Sequence, residues 1–305
     1  MEGVFIESSI TFLGTGGDSF VIGKYIRRAG GIVIKVNGNQ FHIDPGPGAL
    51  AAAKEFGISI RENTAVLVSN NSIYSSNDIN AVIDGMTYSG FDKKGVLISN
   101  KTTVLGSEKE RPFLMEFYKN CVERFIVVEA GQKVGVNDVD IIALKTSIHD
   151  ENSLGFKFIT PYYTLGYSSD TNYAASVAEQ YKGCDVLILN VPYLTKKEED
   201  NGLSKADAVK IIKLAQPKLT IITHFGAELI KAEPRYEARE IQMETKSQVI
   251  DAKDGMVIST GNYPIGQKKK DTSSNKPNIR FEPIEKHANS QPIKEGQPDN
   301  QSHTQ

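Results

Sequence analysis

Tryptophan is absent from this chain of 305 residues and cysteine is nearly so, with two. Cys121 and Cys184 stand far apart, in no metal-binding or redox spacing, and read as buried, reduced thiols of a cytoplasmic protein. No run of about 18 apolar residues occurs, so no membrane span is expected. The N-terminal stretch Met1–Ser9 lacks a basic region followed by a long apolar one, and it does not read as a signal peptide. Neither sign of charge is in excess: 35 Lys and Arg meet 37 Asp and Glu, net −2, which provides no general attraction to nucleic acid or anionic membranes. Histidine is also scarce. Of five, only His42, His149 and His224 precede the polar C-terminal segment.

What is present suffices for a packed core, since apolar residues make up 39 % of the chain. The composition divides the chain into residues 1–265 and 266–305. The second part is rich in Lys, Gln, Asn, Ser and Pro, and Ile279, Phe281, Ile284 and Ile293 are its sizeable apolar residues. Such a segment buries too little to offset its ordering entropy and is expected to be a disordered tail. Asn278–Ile284 reads either as solvated linker or as a short docking motif for a protein partner.

The first part alternates strand and helix signals. Gly31–Val36 and Gln40–Ile43 flank Asn37-Gly38-Asn39 as a hairpin. Pro47 opens a helix that Gly57 stops. Ala65–Val68 is an apolar strand, and Ile79, Val82, Ile83 and Met86 repeat at helical spacing. Further strands are expected at Gly95–Ile98, Arg124–Val128, Asp140–Leu144, Asp185–Leu189 and Leu219–Ile222. Helices are expected at Tyr173–Tyr181, Lys205–Ala215 and Glu228–Glu244, the last broken at Pro234. Val249–Ala252 and Met256–Ser259, around Lys253-Asp254-Gly255, read as a closing hairpin. Meander strands followed by strand–helix alternation suit two sheets with helices outside.

His149, Asp170 and His224 each follow an apolar stretch and sit among small polar residues, the setting in which strand ends present metal ligands to solvent. From residue chemistry alone they are either a metal constellation or unrelated loop residues. His42, in a strand of period two, reads as a surface histidine. Gly14, Gly16 and Gly17 lack the Lys-Ser/Thr of a phosphate loop and are expected to let backbone pass close to a site.

Six strings occur in one order: Thr11-Phe12-Leu13-Gly14-Thr15-Gly16-Gly17, Phe41-His42-Ile43-Asp44-Pro45-Gly46, Ser147-Ile148-His149, Gly166-Tyr167-Ser168-Ser169-Asp170-Thr171, Leu187-Ile188-Leu189-Asn190 and Thr223-His224-Phe225-Gly226. Together they resemble the metallo-β-lactamase-fold hydrolases, in the branch of ribonuclease Z and related archaeal enzymes, over about residues 9–260. The resemblance implies an α/β fold: a four-layer αββα sandwich of two mixed sheets flanked by helices. It also implies two metal ions. The family's His-x-His-x-Asp-His ligands fall on Asn70, Ser72, Tyr74 and Ser75, whereas the later ligands fall on His149, Asp170 and His224.

A dinuclear site is therefore not expected. The resemblance leaves one Zn, Mn or Fe ion on His149, Asp170 and His224, with Asp170 orienting the attacking water on a phosphodiester or ester. The other reading is an inactive relative whose cleft binds a small molecule, RNA or a protein. Asp44 and Asp78 are expected to be structural: Asp44 bracing the loop under the site, Asp78 a helix-start brace for the loop and not a ligand.

Overall fold

The structure is a computed structural model that describes residues 8–148, 152–260 and 279–282. Two β-sheets stack face to face, with helices covering both outer surfaces.

The first sheet is built from β1 (Ser9–Phe12), β2 (Ile32–Val36), β3 (Asn39–Ile43), β4 (Ala65–Val68), β5 (Val96–Ser99) and β6 (Arg124–Val127). The second begins with β7 (Lys133–Val136), β8 (Val139–Lys145), β9 (Leu154–Ile159) and β10 (Thr164–Tyr167), and continues with β11 (Val186–Asn190), β12 (Leu219–Thr223) and β13 (Gln248–Asp251). Strand β14 (Val257–Ser259) returns to the first sheet, and β15 (Ile279–Glu282) joins the second. The orders are β14-β1-β2-β3-β4-β5-β6 and β13-β12-β11-β10-β9-β8-β7-β15. Both sheets are mixed. β3 to β6 run parallel, as do β10 to β13, while the remaining pairs are antiparallel.

Alternation along the strands explains the layers. Phe41 and Ile43 on β3 face the second sheet, and Phe41 meets Phe158 of β9 edge-on, with ring centroids 5.6 Å apart. The opposite face of the first sheet is covered by α2 (Ala49–Glu55), α4 (Ile79–Thr87) and α5 (Lys101–Leu105), numbered after the short α1 (Ser19–Gly23) and α3 (Ile73–Ser76). After α6 (Glu116–Lys119), the second sheet is covered by α7 (Ala175–Glu179), α8 (Lys205–Ala215), α9 (Ala227–Lys231) and α10 (Pro234–Thr245). Ser204 and Asp207 form a reciprocal capping box that starts α8, and its Ala208, Ile211, Ile212 and Ala215 are buried.

Three details differ from the sequence reading. The closing hairpin does not form, because β13 pairs with β12 in one sheet and β14 with β1 in the other. Gly255, at φ 78°, lets the chain turn as a hairpin would. Asp254, however, accepts hydrogen bonds from Thr15 Oγ1 at 2.7 Å and Arg28 N at 2.8 Å, which hold the crossing against the first sheet. Strand β7 carried too weak an apolar pattern to be foreseen. Ile279–Glu282, inside the expected tail, pairs antiparallel with β7, and the rest of residues 266–305 lies outside the described residues.

Among the described residues no helix is long and apolar enough to cross a membrane. Both cysteines are buried and unpaired.

Candidate active centre

The functional residues gather at the carboxyl ends of the parallel strands, where an open α/β sheet leaves its crevice. Asp44 follows β3, Ser69 and Asn70 follow β4, Asp170 follows β10, Asn190 ends β11 and His224 follows β12. Three of these loops turn on a non-glycine residue in the left-handed region: Asp44 at φ 51°, Ser169 at φ 55° and His224 at φ 62°. Such conformations persist only where neighbours hold them, and they concentrate at functional sites.

Asp170 and His224 are brought together, with Asp170 Oδ1 3.3 Å from His224 Nε2. The same oxygen accepts a hydrogen bond from Asn190 Nδ2 at 2.9 Å. Asn190 lies 3.4 Å from the hydroxyl of Tyr167, which donates to Asp44 Oδ2 at 2.7 Å. Asp44 also accepts from Ser69 N and Ser69 Oγ, both at 2.7 Å. Burial pushes the Asp44 carboxyl up to about 7, with the Tyr167 and Ser69 hydrogen bonds pulling the other way. Burial beside two carboxylates raises Tyr167 far above an ordinary phenol.

Asp44 ties three loops together and does not brace only its own turn. Asp78 precedes α4 without capping it, and its Oδ2 accepts from Ala49 N at 2.9 Å, at the start of α2. His42 is a correction: it is fully buried, its Nε2 3.0 Å from Gly30 O, and burial lowers it to about 4.

The loop after β4 uses its residues locally. Asn70 Oδ1 accepts from Ser72 N at 3.0 Å, and Ser72 Oγ accepts from Tyr74 N at 3.2 Å as the cap of α3. Tyr74 and Ser75 line a small cavity with Asp44, Tyr167, Asn190 and His224; at about 20 Å³ it has room for one water-sized occupant. Gly14 and Gly16 reach the same cavity. A Cβ at Gly17 would lie 2.0 Å from His224 O, so the glycine-rich loop does let backbone pass against the site.

Residues 39–225 match the Beta-lactamase superfamily domain, more than half of the chain. The chain belongs to that family. The uncharacterized protein MJ1374 of Methanocaldococcus jannaschii is 28 % identical over 251 residues, covering 82 % of this chain and 94 % of that one. The metallo-β-lactamase-fold protein YhfI of Bacillus subtilis superposes with a TM-score of 0.67 at 16 % identity, covering 83 % of this chain and 99 % of the other. Human tRNase Z, short form, gives 0.59 at 15 % identity, covering 82 % and 98 %. The αββα architecture agrees with these matches.

The family implies metal, so the donor set decides what fits. Among the described residues no three His, Cys, Asp or Glu side chains converge, and His149 lies outside them. Asn70, Ser72, Tyr74 and Ser75 offer neutral oxygens, and those of Asn70 and Ser72 already serve the turn. This half does not fit an ion of its own. Asp170 and His224 fit two ligands of a single ion.

Asn190 and Tyr167 were not foreseen as site residues. Asn190 closes an apolar strand string and Tyr167 precedes the Ser-Ser-Asp turn, and both entered the sequence reading only as members of those strings. A signal was available in the polar end each sends toward a strand terminus.

Proposed function

We propose that this chain is a metallo-β-lactamase-fold hydrolase with a degenerate centre, holding a single ion on His149, Asp170 and His224 and cleaving a phosphodiester or ester. The observation that carries this reading is the convergence of Asp170 Oδ1 and His224 Nε2 at 3.3 Å. Two strand ends thereby aim a carboxylate and an imidazole, both strong metal ligands, at one point. A bound ion would supply a Lewis acid and a water of lowered pKa. The chain's own part is positional: Asn190 holds the Asp170 carboxylate in place, and Tyr74 and Ser75 border the small cavity that His224 also lines. A tRNase among the fold neighbours makes phosphodiesters the first class to assay.

The test is metal content per chain by elemental analysis on untagged protein, comparing wild type with Asp170→Ala and His224→Ala, alongside hydrolysis of bis-p-nitrophenyl phosphate. About one ion per chain, lost in both variants together with turnover, is the expected result. Protein that takes up no stoichiometric metal from supplemented medium would overturn it and direct the search to a cleft that binds a small molecule, nucleic acid or protein.

A further inference from the structure

We propose that a hydrogen-bonded tie between the two sheets takes the place of an ion in fastening the Asn70–Ser75 loop to the centre, and that this tie also aims Asp170. In a two-ion centre the first motif is cross-linked to the second sheet through metal, because ligands from both sheets share an ion. Here the positions that would make that link carry no strong ligand, yet the loop and its neighbours Ser69 and Asp44 are bound across the same gap by three other contacts. Asn70 Nδ2 donates to Ser169 Oγ at 3.2 Å. Ser169 Oγ donates to Ser69 Oγ at 2.7 Å. Tyr167 Oη donates to Asp44 Oδ2 at 2.7 Å. In each pair one residue belongs to the first sheet's loops and the other to the end of β10.

Every member is buried, from 0 % exposure at Ser69 and Ser169 to 6 % at Asn70. Hydrogen bonds in such surroundings are not exchanged for water without loss, so the set behaves as a fixed joint. Within the loop the joint is extended, since Asn70 Oδ1 accepts from Ser72 N at 3.0 Å and Asn70 O accepts from Ser76 Oγ at 2.6 Å. Its effect reaches the centre through Ser169. That residue holds φ at 55°, a conformation an L-serine adopts at a cost, and it immediately precedes Asp170. Two hydroxyl-mediated bonds pin the strained turn. The Asp170 carboxylate then leaves it in the direction that meets Asn190 Nδ2 at 2.9 Å and His224 at 3.3 Å. Ser169 and Asn70 are positioning residues for Asp170, and the joint works with or without an ion.

This inference uses the proposed centre but concerns a separable property, so the test reads the loop and not turnover. Hydrogen–deuterium exchange is followed in the full chain for peptides covering residues 66–76, for wild type with and without chelator, and for Asn70→Ala, Asn70→Asp and Ser169→Ala. Chelated wild type is expected to keep its protection at residues 69–76. Asn70→Asp retains the acceptor for Ser72 N but loses the donations to Ser69 and Ser169, so it should lose protection as Ser169→Ala does, while Asn70→Ala, which also frees Ser72 N, should lose more. All three variants should exchange there roughly tenfold faster or more, tenfold being the size expected for losing one buried hydrogen bond. Loss of that protection on chelating wild type overturns the proposal, as does unchanged protection in Ser169→Ala. The metal content of the same samples reports independently on the single-ion reading.

Discussion

Tyr167 and Asp44 join the two sheets directly, the phenol of one donating to the carboxylate of the other at 2.7 Å in a setting where neither is more than 5 % exposed. Tyr167→Phe keeps the ring and removes the donor. Asp44 would retain the two Ser69 bonds but lose the link to β10. A cost of about 1–3 kcal/mol is expected, read as a lower denaturation midpoint at unchanged slope. An unchanged midpoint would mean that the carboxyl does not rely on the phenol.

The stability of the wild type should be nearly flat between about pH 4 and 6.5, because two buried groups oppose each other. His42 falls from 6.5 to about 4 on folding, so only the unfolded chain binds its proton in that window, and this contribution rises with pH. Asp44 climbs from 3.8 to about 7, so only the folded chain binds its proton there, and this contribution falls with pH. Each amounts to roughly 1.4 kcal/mol per pH unit, with opposite signs. His42→Leu should expose the falling slope and Asp44→Asn the rising one. Urea midpoints at pH 4.5 and 6.5 measure both, and parallel profiles in all three proteins would refute the compensation.

Gly17 lies so close to the His224 loop that any side chain there must move backbone. A Cβ would meet His224 O at 2.0 Å and the imidazole Cδ2 at 2.9 Å. Gly17→Ala should displace His224 and reduce metal uptake by at least tenfold, while Gly23→Ala, whose Cβ would meet nothing within 4 Å, leaves it unchanged. Equal uptake in the two variants would show that the loop yields freely.

Asp78 acts at a distance from its own helix. Removing its carboxylate in Asp78→Ala leaves Ala49 N with Gly46 O at 3.1 Å as its remaining acceptor, at a cost of about 0.5–1 kcal/mol. Asp78→Asn keeps an acceptor and should lose less than half of that in a chemical melt.

Much of the fold could be read from the residues because periodicity is local. Lys205–Ala215 shows its apolar face in sequence, and Asn37-Gly38 announces the β2–β3 hairpin. Partnership between strands is not local. Lys253-Asp254-Gly255 has the chemistry of a hairpin turn, and partners more than 200 positions away, Phe12, Thr15 and Arg28 among them, hold β14 to the other sheet. Burial has the same character. His42 alternates like any strand residue, and nothing near it in sequence tells that it will be fully buried. At the site, Asp170 and His224 could be singled out because each follows an apolar stretch and sits among small polar residues in strings that resemble the family. Asn190 and Tyr167 were not, because their role depends on which strand ends become neighbours.

The last described strand has a consequence for the solution behaviour of shortened forms. β15 occupies the outer edge of β7, and Arg280 Nη2 sits 3.1 Å from Asp140 Oδ1. An uncovered strand edge offers unpaired amide groups to any other chain. A protein ended before residue 279 would keep every residue of the candidate centre and yet present an adhesive border. The border would pass from β15, itself an edge but with charged Arg280 and Glu282 among its four residues, to β7, whose one charged residue is Lys133. Such a protein should therefore sediment as concentration-dependent oligomers more readily than the full chain, and the charges of Ile279–Glu282 would count as the molecule's own guard against self-association.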